Sequence, residues 1–501
     1  MGFVSHEADE GDGRGRDRVG GTMEEEEGGS KLASALAYPK LLIDNRLYRA
    51  AFFASIFQDL GAWANLIASL KVIESLGDDK TGFNAALVFF CRQIPTVVLF
   101  PISGFCADRY DRKVIMLLSN CVSALVAAAF VVLTKYPSLG LLCLLILSKN
   151  AMGSFYDPCD RAVIPQIVHK DKIHVAMTLN GVAWSSMLAI GAALGGVMTS
   201  QLGLVRCFLL DAVGFVLSIG CLLFLPSLRP TDRYAGQTLG EDADEDPSAA
   251  TSEMKRVDSK ILKAEGEGKN LLGRTLSDTL TLFTDPSLRL SLLYCTMKAT
   301  GGLIWGPADV LNLKFSETPG LQIAGDQPLT LGIAYASVGV GCFVGPMASN
   351  AFFGKKEVEL LSSVVFAVGC LASGYVAWSF ASTYYVVYLG NFLRSAASAI
   401  IWIKSTILIQ LYSDPLFLGR LFALERAIYT LANSSSMFTA GLLLDGAVCT
   451  VKQISAVLLV LSAVMFVLWT LIKRRRGRRK GQQPSTQYEM VPLDEDEVGG
   501  D

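Results

Sequence analysis

A chain of 501 residues that is 51% hydrophobic and only 18% charged, with a positive mean hydropathy, is too apolar for a soluble multidomain protein of ordinary composition. Its formal net charge of −2 says nothing about partners, so the information lies in where the charges fall. No paired nucleophile and base, no metal-ligand cluster and no phosphate-binding loop stands out, which argues against an enzyme.

In chain order, residues 1–46 come first: a Gly- and acid-rich start with the run Glu24–Glu27, expected to be a disordered cytosolic tail. No cleavable signal peptide is expected, because the first apolar run begins only after Leu47 and is far too long. From there, runs of about 20 apolar residues, the length that crosses a bilayer core as a helix, recur twelve times. They lie near 47–74, 83–104, 114–134, 138–158, 174–200, 203–226, 288–311, 329–353, 357–379, 382–411, 419–444 and 450–472. The eleven cysteines are scattered, mostly inside these runs and without a Cys-x-x-Cys pair, so they read as small buried packers.

The short loops alternate in charge. One set carries Arg46 and Arg49, the Asp108–Lys113 segment, Arg161, Lys170 and Lys172, Lys355 and Lys356, Arg420, and the run Lys473–Lys480. The opposite set offers only Lys80, Lys135, Arg206, Lys314 and Lys452. Positive charge resists translocation, so the first set is expected in the cytosol, together with both termini. Bundles at 47–226 and 288–472 then flank a polar cytosolic linker, 227–287. In it Leu271, Leu272, Leu276, Leu280 and Phe283 keep the spacing of a short interfacial helix. Residues 473–501 form a basic, then acidic, cytosolic tail. Its basic run should attract anionic headgroups at about 1 kcal/mol per residue. Glu267 with Leu271-Leu272, and Tyr488-Glu489-Met490-Val491, resemble dileucine and tyrosine sorting signals of eukaryotic membrane proteins.

An ionisable side chain deep in a span costs about 2.5 kcal/mol or more unless paired or wetted. Asp59, Arg92, Lys149, Lys298 and Arg394 lie well inside spans one, two, four, seven and ten; Asp211, Asp309 and Lys404 lie nearer span ends. Ser55, Gln58, Asn65 and Ser69 make a stripe on the first helix, with Asp59 at its edge. Tyr294, Lys298, Gly301, Trp305 and Asp309 do so on the seventh, and Asn391, Arg394, Ser398, Trp402 and Ser405 on the tenth.

Between the second and third spans stands Gly104-Phe105-Cys106-Ala107-Asp108-Arg109-Tyr110-Asp111-Arg112-Lys113. This pattern resembles the signature loop of the major facilitator superfamily, in the form of its macrolide and siderophore exporter branch. Ile94-Pro95, Pro101-Ile102-Ser103-Gly104, the run from Phe155 to Pro165, Leu179-Asn180, Gln410 and the run from Gly419 to Leu424 resemble further segments of that branch. The resemblance implies an all-α polytopic membrane protein: twelve transmembrane helices in two six-helix bundles that rock about a central site. It also implies a secondary active transporter exporting a small amphipathic or anionic organic solute. A facilitative uniporter, a lysolipid flippase and, in another class, a non-transporting sensor or scaffold stay open.

In that superfamily the first, fourth, seventh and tenth helices line the cavity. Asp59 is then one central acid against Lys149, Lys298 and Arg394. If Asp59 pairs with Arg92, the three cations are left to hold an anionic solute, with Trp305, Trp402 and Asn65 beside them. Asp59 with Arg92 is also the candidate for proton coupling, and a purely structural pair fits equally well. By resemblance Gly104, Asp108, Arg109 and Arg112 form a conformational latch. In it Gly104 allows close helix approach, Asp108 leans on the positive end of the eleventh helix, and the arginines are charge partners. Two departures stand out. The matching loop of the second half, after Gly345-Pro346-Met347-Ala348-Ser349-Asn350, lacks the aspartate. Gly191-Ala192-Ala193-Leu194-Gly195-Gly196 resembles the antiporter glycine motif but has Ala192 where that motif has proline. Gly332, Gly339, Gly341 and Gly345 read as a small-residue seam. The expectation is a monomer with no cofactor, a small-molecule substrate, protons as the candidate coupling ion, membrane lipids as partners and no nucleic acid, in the plasma membrane or an endomembrane.

Overall fold

The computed structural model describes residues 39–77, 80–169, 172–229, 288–354, 356–412 and 415–480. Residues 1–38 of the expected N-terminal tail, the amphipathic linker helix, both sorting signals and the acidic tail lie outside these residues; the remainder of the N-terminal tail departs from the expected disorder, since residues 39–44 are helical and Leu41 is buried. A chain in lipid must satisfy every backbone amide and carbonyl internally, and helices do so locally. The described residues accordingly form α1 (Arg46–Ser75), α2 (Thr81–Arg109), α3 (Arg112–Ala129, continued by a 3-10 turn Phe130–Thr134), α4 (Leu139–Ile167), α5 (Ile173–Leu202) and α6 (Leu204–Leu223). After the linker come α7 (Arg289–Trp305), α8 (Ala308–Glu317), α9 (Gln327–Phe352), α10 (Glu357–Ser379), α11 (Tyr384–Tyr412), α12 (Pro415–Asp445) and α13 (Val451–Lys480).

Nine of the described helices are long and apolar enough to cross a membrane. The others, α1, α12 and the short pieces α7 and α8, include those that carry Asp59, Lys298, Glu425 and Arg426, so their polar content follows from what they line. The seventh crossing differs from the single run expected over 288–311. It breaks at Gly306-Pro307, because proline cannot donate to the helix ladder and clashes with the preceding turn. Asp309 therefore falls on the first turn of α8 rather than near the end of a continuous span.

Within the N-terminal bundle α1 packs against α5 and α6 through glycine. A Cβ on Gly61 would lie 2.7 Å from the Asp211 backbone, and one on Gly195 would lie 2.7 Å from Ala64. The bundles meet along two seams, α2 with α12 and α5 with α9. The α5 glycine motif serves both jobs: Gly191 and Gly195 face α1, while Gly196 abuts Pro328 and Gly332 of α9. The α9 glycines likewise split between two faces, Gly332 and Gly339 on α5, Gly341 and Gly345 on α11.

Both seams are fastened at the end away from the Arg109–Arg112 loop, where Asp445 of α12 accepts from the amides of Gly82 and Phe83 on α2, and Ser200 of α5 bonds Asp326 before α9. At the loop end a Cβ on Gly104 would meet nothing within 4 Å. Among the described residues, the close approach expected there is not made. The Asp108 side chain lies outside the described ones, and so does its expected contact with α12. Arg112 is fully buried, donating from Nε to Ala107 O at 3.0 Å and from an NH group to Ala162 O at 3.1 Å. It ties the loop to α4 within one bundle. Arg109 is exposed.

Candidate solute site between the bundles

The C-terminal wall is built on α7, α11 and α12. Lys298, about two turns before the Gly306-Pro307 break, donates to Glu425 Oε2 and to Thr406 Oγ1, both at 2.9 Å. Its ammonium also stands 4.4 Å from the centre of the Trp402 ring. Tyr429 meets Trp402 edge-on at 5.1 Å and Trp305 at 6.4 Å, and Arg426 lies 5.9 Å from the Tyr429 ring. Trp305 folds over Gly301, where its indole fills the place a Cβ would take. Four buried atoms on α12 have no hydrogen-bond partner: Glu425 Oε1, Arg426 Nε, Thr430 Oγ1 and Ser434 Oγ. Positions 426, 430 and 434 share a face at i, i+4 spacing.

The N-terminal wall is acidic. Asp59 on α1 lies within electrostatic reach of Asp157 and Asp160 on α4, as well as of Arg92 on α2. Asp157 interacts with Arg161 on its own helix and with Arg426 across the chamber. Asp157 and Arg161 remain exposed, and Ser55 donates to Asp160 at 3.4 Å. The expected Asp59–Arg92 ion pair is not formed among the described residues. Arg92 instead lies 5.1 Å from the Trp63 ring and is shared electrostatically by Tyr335, Asp309, Asp211 and Asp59. Asp309, held by the Tyr335 hydroxyl at 2.9 Å, interacts with Arg394 inside its bundle and with Arg92 across the seam.

The expected surplus of cations is corrected: Lys149 and Lys298 each have an acid on a helix not counted among the four lining ones, and Arg394 has Asp309 of the seventh crossing near it. Lys149 is ion-paired with buried Asp211 of α6, which also accepts from Asn65 Nδ2 at 2.8 Å. Lys149 and Asn65 thus belong to a knot inside the N-terminal bundle. Lys298 has Glu425 of α12. Arg394 is buried against Trp378, 5.2 Å from its ring, and donates to Asn391 at 3.2 Å with Asp309 nearby. A desolvated cation without an opposite charge is too costly to leave in place. The structure brings Lys298, Trp305 and Trp402 together in one bundle and Asp59 and Arg92 in the other, the two clusters being linked through Asp157 and Arg426. It adds Asp157, Asp160, Glu425, Arg426 and Tyr429, which the sequence holds in plain view: Asp157 and Asp160 in the fourth-span segment, the others one helical turn apart on the eleventh.

Residues 39–242 match a family model described as "Transmembrane secretion effector". Among curated proteins, the chain is 28% identical over 167 residues to the uncharacterized MFS-type transporter YfiS of Bacillus subtilis (strain 168), covering 33% of this chain and 39% of that one. It is 25% identical over 143 residues to the staphyloferrin A transporter of Staphylococcus aureus (strain NCTC 8325 / PS 47), covering 28% and 36%. The chain thus matches about two fifths of the length of these relatives. Among solved structures, a POT family transporter in complex with 5-aminolevulinic acid superposes with a TM-score of 0.62 at 14% identity, over 85% of this chain and 97% of that one. A proton dependent oligopeptide transporter structure gives 0.64 at 14% identity, over 86% and 99%. The chain is an all-α, multi-pass membrane protein with the major facilitator fold, and its N-terminal half resembles the siderophore- and efflux-like branch of that superfamily.

Proposed function

We propose that the chain is a secondary transporter that moves a small amphipathic organic solute out of the cytosol by alternating access. The observation that carries this is a charged and aromatic cluster spanning both bundles: the acids Asp59, Asp157 and Asp160 of one are linked, through Asp157 and Arg426, to Trp305, Trp402, Tyr429 and Lys298 of the other. With Lys149 and Arg394 held by their own acids, the walls suit a solute bearing both an amine and an acceptor better than a simple anion. The excess of Arg and Lys in one set of loops puts both termini and the open end in the cytosol. The names of the matched family and of the staphyloferrin relative support export of an organic solute. In this reading a proton and the solute's cationic group compete for the clustered carboxylates, which gives coupling.

A thermal-shift screen of the purified chain selects the solute, and counterflow in proteoliposomes then tests it. Exchange of labelled for unlabelled solute is expected, accelerated by a pH gradient, and Asp59→Asn is expected to keep exchange while losing accumulation. Binding without exchange would leave a non-transporting sensor and overturn the proposal.

A further inference from the structure

The first amides of a helix need acceptors from outside it. Among the described residues α2 has no side-chain cap of its own: Lys80 stands at its N-cap and makes no capping hydrogen bond, and its first turn has no acid. Its acceptors come from the other bundle. Asp445, the last residue of α12, takes the Gly82 amide through Oδ1 at 2.9 Å and the Phe83 amide through Oδ2 at 2.6 Å. There its charge sits on the positive end of the α2 dipole. Lys314 of α8 steadies the carboxylate from 3.2 Å and also holds Glu317 at 3.4 Å, and Glu317 accepts from the Thr81 hydroxyl at 3.2 Å. Gly441 makes the approach feasible: a Cβ there would lie 2.8 Å from Gly82 O.

The other seam is fastened differently. α9 carries its own cap, with Asp326 accepting from the Leu329 amide at 2.8 Å, and Ser200 of α5 merely adds to it. The start of α9 is therefore satisfied with the seam open or shut, whereas the side-chain acceptors that the described residues offer the start of α2 are there when the seam is shut. The Asp445 side chain is 6% exposed and Lys314 17%, so the contact lies at a rim that water reaches as soon as it parts.

We propose that Asp445, braced by Lys314, is a cap supplied in trans that holds the outer side of the chamber closed, so that losing it moves the population toward the outward-open state. This builds on the alternating-access reading, but its test needs no solute. Hydrogen exchange is followed on the full chain in lipid nanodiscs for Asp445→Ala and Lys314→Ala. Exchange over residues 80–90 is expected to rise about fivefold or more in Asp445→Ala and by less in Lys314→Ala. Exchange at the loop ends of α5 and α9, near 173–185 and 340–352, should slow as the inner side closes. Lys80→Ser gives α2 a cap in cis. Added to Asp445→Ala, it should restore protection over 80–90 while the slowing at the inner ends persists. Faster exchange over 80–90 with unchanged inner ends would reduce Asp445 to a local cap, and no change at either place would remove the proposal; each outcome leaves counterflow as the separate test of transport. If Asp445→Ala does not fold, Lys314→Ala, which keeps the carboxylate, carries the same paired prediction.

Discussion

Two buried lysines, one in each bundle, meet their carboxylates in different company. Lys149 and Asp211 are enclosed by Asn65, with Ser69 behind it donating to Asn65 at 3.0 Å. α1 presses Gly61 against the Asp211 backbone. Lys298 and Glu425 are hydrogen-bonded as closely, but they border three aromatic rings. Each pair keeps one carboxylate oxygen without a partner among the described residues, Asp211 Oδ1 and Glu425 Oε1. The difference is the company: Lys149 has a single ring near it, Phe215 at 5.2 Å, inside one bundle, whereas Lys298 and Glu425 lie against a wall of three. Burial, pairing and a spare acceptor therefore do not by themselves mark a functional charge; the aromatic surroundings set the second pair apart.

The largest expected effect breaks this comparison from the structural side. Asp211→Ala strands Lys149 in the bundle, which should cost about 3–5 kcal/mol and deplete folded protein in a denaturation assay. The paired change Lys149→Met with Asp211→Leu should recover most of that loss, since a well-packed apolar pair avoids desolvating two ions. Counterflow should survive in this double variant. The equivalent double change on the other side, Lys298→Met with Glu425→Gln, should fold as well but lose exchange about tenfold or more, the size of one or two charge-assisted hydrogen bonds to solute at about 1.5–3 kcal/mol each. Equal exchange in the two double variants would erase the distinction.

A smaller effect tests the seam along which the bundles move. At Gly339 a Cβ would lie 2.5 Å from the Ala189 amide nitrogen of α5. Gly339→Ala should force α5 and α9 apart, at a cost of about 1–3 kcal/mol, and slow exchange. Gly104→Ala, with open space around it here, should leave stability nearly unchanged in this state. Comparing the two in a thermal melt and by counterflow separates a seam residue from one that matters only if the inner side closes.

Much of the fold was legible because it is written locally. A run of apolar residues states its own length, and the twelve runs read from sequence differ from the helix bounds by only a few residues in most cases. The break at Gly306-Pro307 was equally local, but the apolar run continues through it to Leu311 and hides it. The charge pairing was not legible for the opposite reason. Lys149 finds its acid 62 positions away and Lys298 finds its own 127 positions away; nothing in either segment says which partner helix lies alongside. Glu425 and Asp211 went unused because their helices were not expected to face the charges they neutralise. Asp157 and Asp160 lie inside the run from Phe155 to Pro165, whose resemblance to the family says nothing about which charges they face.

The smallest expected effect concerns the loop that first suggested the fold. Asp111 caps α3, accepting from the Lys113 amide at 2.9 Å, and also takes the Leu228 amide at 3.2 Å and the Ser227 hydroxyl. Burial pushes its carboxyl up, but the hydrogen bonds from Ser227 and from the amides of Leu228, Lys113 and Val114 outweigh that and hold it below the ordinary aspartate value. A carboxyl whose pKa is lowered by folding contributes stability that is present above its unfolded pKa, about 3.9, and is lost as pH falls through the folded one. Asp111→Asn keeps a capping oxygen but loses the charge, so it should be less stable than the native chain at neutral pH by about 0.3–1 kcal/mol, the size of a charge at a helix N-terminus. The gap should narrow in melts taken progressively below about pH 4. The same carboxylate joins the α2–α3 turn to residues 227 and 228, just past α6, so its loss should also loosen the point where the chain leaves the first bundle. A gap between the two proteins that stayed constant down to pH 3 would show that the side chain's shape, and not its charge, sustains the turn.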